Sequence, residues 1–350
     1  MKIALITAFY DEREKGNEYY LADNLTKLGH EITIYVSKFS VPRYGKVRKI
    51  TEGSKLKNVR VIRLNSCGIK RKGMLKLRGL KKKIEKENFD AIHLQEWFMP
   101  MGWQLRKLKN LVLTQRIEKI PTIIKIAYHL YGKKLLRNAK TVTTLTTQAK
   151  NELEKLGIKR EIKVISNGVD TELFSPKKHT KSEKLRILYV GRLSKEKGIN
   201  KLITACSKLN YDYCLKIIGS GDKEMQLKKL ANDSKINCEF LGKKPQSELP
   251  NYYSEADVLV IPSLKEPFGF VTLEALSCGT PVIGSNIGGM RDVIDNTVGI
   301  KVKPGSLAEL VNALKEMQKK AEGLRKKCRE YIIKNYSWTV VAKKYSEAYK

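Results

Sequence analysis

The chain is predicted to be an α/β protein built from two doubly wound parallel sheets, on three observations. Short apolar runs of buried-strand length alternate with stretches of helical period. That alternation restarts after Ser166. The 350 residues also slightly exceed two domains of about 150 each. The first half opens with a strand over 2–7, a polar loop, a helix near 18–28 and a strand over 31–36, a βαβ start. Apolar runs at 59–62, 91–94, 111–114 and 141–145 continue the sheet. The second half reads as strands at 186–190, 214–218, 238–241, 256–261 and 282–285. Residues 167–180, with Gly168 and Pro176 among polar neighbours, are the expected hinge and linker. The stretch from Trp338 to Tyr345 has apolar positions at helical spacing.

Hydrophobic residues at 41% against 30% charged give a globular balance, and no apolar run approaches the ~20 residues of a membrane span. The start Met1-Lys-Ile-Ala-Leu-Ile-Thr turns polar too soon for a signal peptide, so a cytoplasmic protein is expected. Six cysteines without CxxC spacing and only four histidines allow no metal cluster to be drawn. Reduced, partly buried thiols are expected.

The net charge of +33 is concentrated: residues 1–165 hold 37 basic against 15 acidic residues, and 38–86 hold 18 against 2. Met74, Leu77, Leu80 and Ile84 fall on one helical stripe with lysines around it, so 71–84 is expected to form a basic amphipathic helix. Near an anionic bilayer each Lys or Arg is worth about 1 kcal/mol, so six of them give roughly 6 kcal/mol, enough for reversible docking. A core-packed helix of a thermophile-like chain would raise Glu along with Lys. Nucleic acid would need stacking aromatics, and the segment has only Phe39 and Tyr44. The expected partner is an anionic membrane surface, with the protein peripheral on its cytoplasmic face, and no nucleic acid.

The chemistry concentrates between Glu266 and Glu274, two carboxylates flanking Gly269 between a buried-strand run and a helix. Unpaired N–H groups and about half a positive charge at a helix N-terminus suit a phosphate, and a glycine lets the backbone approach it. Carboxylates beside a diphosphate are useful if they accept hydrogen bonds from hydroxyls. Hydroxyls next to a diphosphate describe a nucleotide sugar.

These residues resemble the Glu-x7-Glu signature of retaining glycosyltransferases of family 4, glycosyl transferases group 1. The likeness extends to Lys15-Gly-Asn-Glu18, Leu28-Gly-His-Glu31, Asp90-Ala-Ile-His93, Ser166-Asn-Gly-Val-Asp170, Val190-Gly-Arg-Leu-Ser-Lys-Glu-Lys-Gly198, Ile217-Ile-Gly-Ser-Gly-Asp222 and Tyr336-Ser-Trp338. It implies a GT-B architecture, two Rossmann-like domains facing a central cleft. Residues 1–167 would form the acceptor domain, 168–334 the nucleotide-sugar donor domain, and a helix from about 335 would cross back to the first. The resemblance implies that Glu266 holds the donor-sugar hydroxyls and Glu274 the ribose, while backbone N–H groups at Phe268, Gly269 and Phe270 meet the sugar and diphosphate. Arg192 and Lys197 would neutralise the diphosphate, where negative charge develops on departure. Gly16 would approach it from the first domain. The Gly219-Ser-Gly221 turn and Leu241 are assigned to the nucleobase pocket; the turn lacks the third glycine of a dinucleotide fingerprint.

No cofactor is expected: the nucleotide sugar, UDP- or GDP-linked, is a substrate, and cationic side chains take the place of a metal. Front-face attack by the acceptor requires positioning and charge stabilisation more than a base. Two departures stand out. The chain has His93-Leu-Gln95 where the family commonly reads His-x-His, and Thr114-Gln-Arg116 where it reads Thr-x-His. A permanently charged guanidinium cannot reproduce a neutral imidazole, so Arg116 is expected to contact the donor or acceptor phosphate, to signal an unusual donor, or to mark reduced activity. The predicted function is transfer of a sugar from a nucleotide sugar to a lipid or lipid-linked glycan. An epimerase or hydrolase of the same fold, or a catalytically weak basic scaffold, would share much of this sequence pattern.

Overall fold

The computed structural model describes residues 1–40, 48–50, 56–69, 74–117, 120 and 122–350. The chain divides into two units, Met1–Asn167 with Trp338–Lys350, and Gly168–Ser337.

The first unit contains strands β1 (Lys2–Ile6), β2 (Glu31–Ser37), β3 (Phe39–Ser40), β4 (Arg48–Lys49), β5 (Val59–Leu64), β6 (Ser66–Ile69), β7 (Met74–Leu77), β8 (Ala91–Gln95), β9 (Leu111–Gln115), β10 (Thr141–Thr144) and β11 (Ile162–Val164). Seven of them pair in parallel in the order β11-β10-β9-β8-β1-β2-β5. Its helices are α1 (Asn17–Lys27), α2 (Leu80–Glu85), α3 (Pro100–Leu105), α4 (Thr122–Ala127), a π turn (Tyr128–Gly132), α5 (Lys133–Asn138) and α6 (Thr147–Lys155). The central strands β8 and β9 are buried throughout, as a parallel sheet covered on both faces requires.

The second unit runs β12 (Leu185–Val190), α7 (Ile199–Cys206), β13 (Tyr213–Ile218), α8 (Glu224–Asp233), β14 (Cys238–Gly242), α9 (Leu249–Glu255), β15 (Val258–Ile261), α10 (Phe270–Ser277), β16 (Val282–Ser285), α11 (Gly288–Val293), β17 (Gly299–Val302) and α12 (Leu307–Tyr336). Its six parallel strands lie in the order β14-β13-β12-β15-β16-β17. The last helix, α13 (Trp338–Tyr349), belongs to the first unit. There Trp338 stacks on Tyr20 of α1 at 5.7 Å, and Thr339 Oγ1 donates to Asn24 Oδ1 at 3.1 Å.

Both strand orders contain a switch point, where successive strands leave in opposite directions and a crevice opens at their carboxyl ends. In the first unit it lies between β1 and β8; in the second, between β12 and β15.

Two sequence expectations are corrected. The amphipathic helix over 71–84 does not form: Met74–Leu77 is a strand paired antiparallel with Ser66–Ile69, and only Leu80–Glu85 is helical. Leu75 and Leu77 are buried while Lys76 between them is exposed, a period of two that the helical reading overlooked. Gly79, at φ 73°, separates strand from helix. Residues 71–73 lie outside the described set. Within the expected 167–180 linker, residues 168–174 are anchored in the second unit, which begins at Gly168. Val169 N–H donates to Tyr336 O at 2.9 Å, and Arg329 of α12 caps the carbonyls of Thr171 and Phe174 at 2.9 and 2.8 Å. Val169 and Phe174 are buried, so apolar anchors outweigh the turn-forming composition.

Candidate active site

At the switch point of the second unit, the loop after β12 and the loop after β15 are joined by short backbone contacts. Leu264 N–H donates to Glu196 O at 2.7 Å. Across this seam Lys197 Nζ meets Glu266 Oε2 at 2.5 Å, both side chains mostly shielded, at 13% and 12% exposed. Ser263 Oγ approaches the same carboxylate oxygen at 3.4 Å.

The backbone that carries Glu266 is fixed by glycines. Gly269 caps the N-terminus of α10 at φ 79°, in the left-handed region. Gly288, at φ 55°, opens α11 so close to the loop that a Cβ there would lie 1.9 Å from Glu266 O. Gly289 N–H donates to Pro267 O at 3.1 Å. Phe268 is buried and Phe270 partly exposed, their rings 5.0 Å apart. One helical turn further, Glu274 Oε2 accepts from the buried Tyr253 hydroxyl at 2.7 Å. Burial and the neighbouring Glu274 carboxylate push the Tyr253 pKa well above its ordinary value, so this hydroxyl stays a donor.

Gly219 ends β13 with N–H to Gly242 O at 2.8 Å, and a Cβ on it would strike Gly191 O at 1.8 Å. The close approach of two loops therefore accounts for this glycine. Leu241 sits beside it in β14, half-buried. Arg192 points outward, 63% exposed, and pairs with Glu196 at 3.4 Å.

The crevice of the first unit is ionic. Arg116 follows β9; its Nη1 donates to Glu18 Oε1 at 2.7 Å and to Gln95 Oε1 at 2.8 Å. Glu18 stands in the first turn of α1, whose N-cap is Gly16. Glu96, directly after β8, adopts φ 63°, and its shielded Oε2 accepts no hydrogen bond among the described residues. Burial lifts the Glu96 carboxyl to about 7, in spite of Arg116, which pulls it down. Burial alone would lower the Arg116 pKa; Glu18 and Glu96 reverse that and hold it above the ordinary value. Beneath them His93 is fully buried, bonded to Tyr349 Oη at 2.8 Å and Thr114 Oγ1 at 2.7 Å. Burial and then Arg116 depress it to about 3, so the ring is neutral. Asn17, Ser166, Asn167 and Tyr345 line the small pocket over Arg116.

Two family models tile this chain: Glycosyltransferase Family 4 matches residues 19–173 and Glycosyl transferases group 1 matches residues 170–335. The chain belongs to the GT-B glycosyltransferases of family 4, group 1. An uncharacterized glycosyltransferase of Methanocaldococcus jannaschii is 28% identical over all of this chain and 98% of its own length. Among solved structures, sucrose-phosphate synthase from Thermosynechococcus elongatus superposes with a TM-score of 0.73 at 24% identity, covering 100% of this chain and 98% of that one. An Anabaena protein solved in complex with UDP-glucose superposes at 0.68 and 17% identity, covering 99% and 98%. These likenesses bear on the fold.

In this glycosyltransferase, the residues singled out from sequence fall into two groups. Lys197, Glu266, Phe268, Gly269, Phe270 and Glu274 gather on the β12–β15 crevice and α10. Gly16 and Arg116 belong to the first unit, linked through Glu18: a Cβ on Gly16 would lie 3.3 Å from Glu18 Oε2. The sequence reading missed Glu96, Tyr253 and Ser263. Glu96 had one available signal, an acidic residue immediately after a buried parallel strand. Tyr253 had none, because its contact with Glu274 joins two helices 21 residues apart.

Proposed function

We propose that this glycosyltransferase moves a sugar, with retention at the anomeric carbon, from a UDP- or GDP-linked donor to a hydroxyl of a lipid or lipid-linked glycan at an anionic membrane surface. The observation that carries the donor half is the Lys197–Glu266 pair, held at the β12–β15 switch point beside the N-terminus of α10. An ammonium group has three donors, so Lys197 can hold Glu266 and a phosphate oxygen together. Glu266 then accepts from sugar hydroxyls and Glu274, oriented by Tyr253, from the ribose. The UDP-glucose carried by the Anabaena neighbour supports the donor class.

In the reaction the acceptor oxygen attacks the anomeric carbon on the face from which the diphosphate departs. The sugar–phosphate C–O bond breaks, and the acceptor proton passes to the leaving phosphate oxygen. Lys197, Arg192 and the N–H groups at 268–270 stabilise the charge that develops on the nucleotide, which gives a metal-independent reaction. In the first unit Arg116 is oriented by Glu18 and Gln95 toward the acceptor or its phosphate.

A thermal-shift panel of UDP-, GDP- and ADP-sugars tests the donor half, followed by product analysis with membrane extract and assignment of the anomeric configuration. A shift with one nucleotide class, and loss of transfer by about 100-fold or more in Glu266→Ala, are expected. No shift with any nucleotide sugar would sink the donor assignment.

A further inference from the structure

The first unit carries a second basic region, outside 38–86. From residue 97 to 151 the chain has eleven Lys or Arg and a single acid, Glu118. The helical run over 122–138 lies within it and contains no Asp or Glu. Its inner side packs Ile124, Tyr128, Leu135 and Leu136 into the core. Its outer side, at spacings of three and four, presents Lys125, Ile126, Leu130, Lys133, Lys134 and Arg137, all exposed. Leu130 is 77% exposed and Ile126 50%.

Isolated exposed apolar residues are ordinary; two on adjacent turns, framed by cations and no anions, are not. The neighbouring helix α3 adds an aromatic. Trp103 is 46% exposed, with the Arg106 guanidinium 4.1 Å above its ring and Lys76 Nζ at 5.7 Å. The two helices are locked together through Trp97. A Cβ on Gly132 would lie 2.4 Å from its ring and one on Gly102 1.8 Å from its carbonyl. Gln104 of α3 clamps both backbone groups of Leu77, tying in β7 and with it Lys76.

We infer that the outer face of 122–138, with Trp103 beside it, docks the enzyme on an anionic lipid bilayer, Ile126 and Leu130 entering the interface while the cations meet headgroup phosphates. Charge complementarity selects this occupant, since a face without a single anion suits a surface without net cations. The apolar pair selects lipid over nucleic acid. Aliphatic side chains offer a base no stacking platform, and Arg106 already lies over the exposed Trp103 ring. The assignment moves membrane contact from 71–84 to the helical run over 122–138, and it rests on the membrane-acceptor reading above.

Flotation of the full-length protein with vesicles of phosphatidylcholine alone, and of phosphatidylcholine with phosphatidylglycerol, tests it. The protein should rise with the anionic vesicles only. Lys133→Gln/Lys134→Gln should weaken partition about 25-fold, about fivefold for each lysine. Leu130→Ser should weaken it about tenfold. Both variants should keep the thermal midpoint and the nucleotide-sugar shift, because their side chains are exposed and none is among the residues assigned to the donor. Equal recovery on both vesicle types, or unaltered flotation of both variants, would overturn the inference. So would single-stranded DNA binding that the lysine variant loses and Leu130→Ser retains, with no flotation. Normal flotation without transfer to any lipid acceptor would leave the docking face standing and sink the acceptor reading instead.

Discussion

Arg116 Nη1 lies 2.7 Å from Glu18 Oε1, joining the loop after β9 to the first turn of α1. The guanidinium that departs from the family's histidine is therefore built into an ion pair, with Gln95 as its second acceptor. Gln95 and Arg116 are two of the positions at which this chain departs from the resembled pattern, and they contact one another. The amide carbonyl of Gln95 thus receives the Arg116 guanidinium, and the two departures meet in one contact.

Removing either partner of this pair weakens the compensation of the other's charge. Glu18 is only 14% exposed and Arg116 28%, so solvent does not fully replace the lost partner. Arg116→Ala is expected to cost about 2 kcal/mol in urea unfolding, and Glu18→Gln about 1 kcal/mol. The double variant should cost less than the sum, with a coupling on the order of 1 kcal/mol. Additive effects within experimental error would mean that the pair contributes no stability.

Glu96 gives a pH signature. Its carboxyl is raised to about 7 in the folded chain, above the ordinary value it recovers on unfolding. Between those two values the folded state holds a proton that the unfolded state releases, so stability falls as pH rises through the window. Glu96→Gln removes the titration. The variant should gain on the parent from pH 5 to pH 8, by about 2 kcal/mol in total. His93, depressed to about 3 by burial, acts at the acid end and with the opposite slope: its contribution is lost as pH falls below the ordinary histidine value. Unfolding curves of parent and Glu96→Gln at several pH values separate the two. A constant difference between them from pH 5 to pH 8 would refute the raised carboxyl.

The parallel strands of both units were legible in the sequence because strands buried on both faces are written as continuous apolar runs. The exceptions have physical reasons. Ile162–Val164 is an edge strand with exposed Lys163 and Val164, so its apolar signal is short. Gly299–Val302 is also an edge strand, and exposed Lys301 interrupts its short apolar run. Met74–Leu77 fits both readings because one lysine among three apolar residues satisfies a helical stripe and a strand alternation equally well over four positions. At the site, Glu266, Gly269 and Lys197 were legible because motif spacing reflects local loop geometry. The bonds from Tyr253 to Glu274 and from Arg116 to Glu18 were not, because they depend on which helices the fold brings side by side.

Three glycines of the second unit separate backbone strain from steric collision. At Gly323, in the middle of α12, an added Cβ meets nothing within 4 Å, so Gly323→Ala should stabilise by about 0.5–1 kcal/mol through helix propensity. At Gly269 the left-handed φ of 79° is unfavourable for alanine, and the Cβ would also press Met290 Cγ at 2.9 Å. A methionine side chain can yield, so the cost should remain about 1–2 kcal/mol. At Gly288 the φ of 55° is combined with a backbone oxygen, Glu266 O, only 1.9 Å from the new carbon. Backbone cannot rotate away as a side chain does, so Gly288→Ala should cost about 3 kcal/mol or shift the loop that holds Glu266. In the second case the stability loss is smaller and the nucleotide-sugar thermal shift disappears, because the carboxylate leaves Lys197. Measuring unfolding free energy and ligand shift on all three variants tests the order Gly323, Gly269, Gly288. A Gly288→Ala protein with parental stability and a parental shift would show that the 266–268 loop tolerates displacement and that its position does not set donor binding.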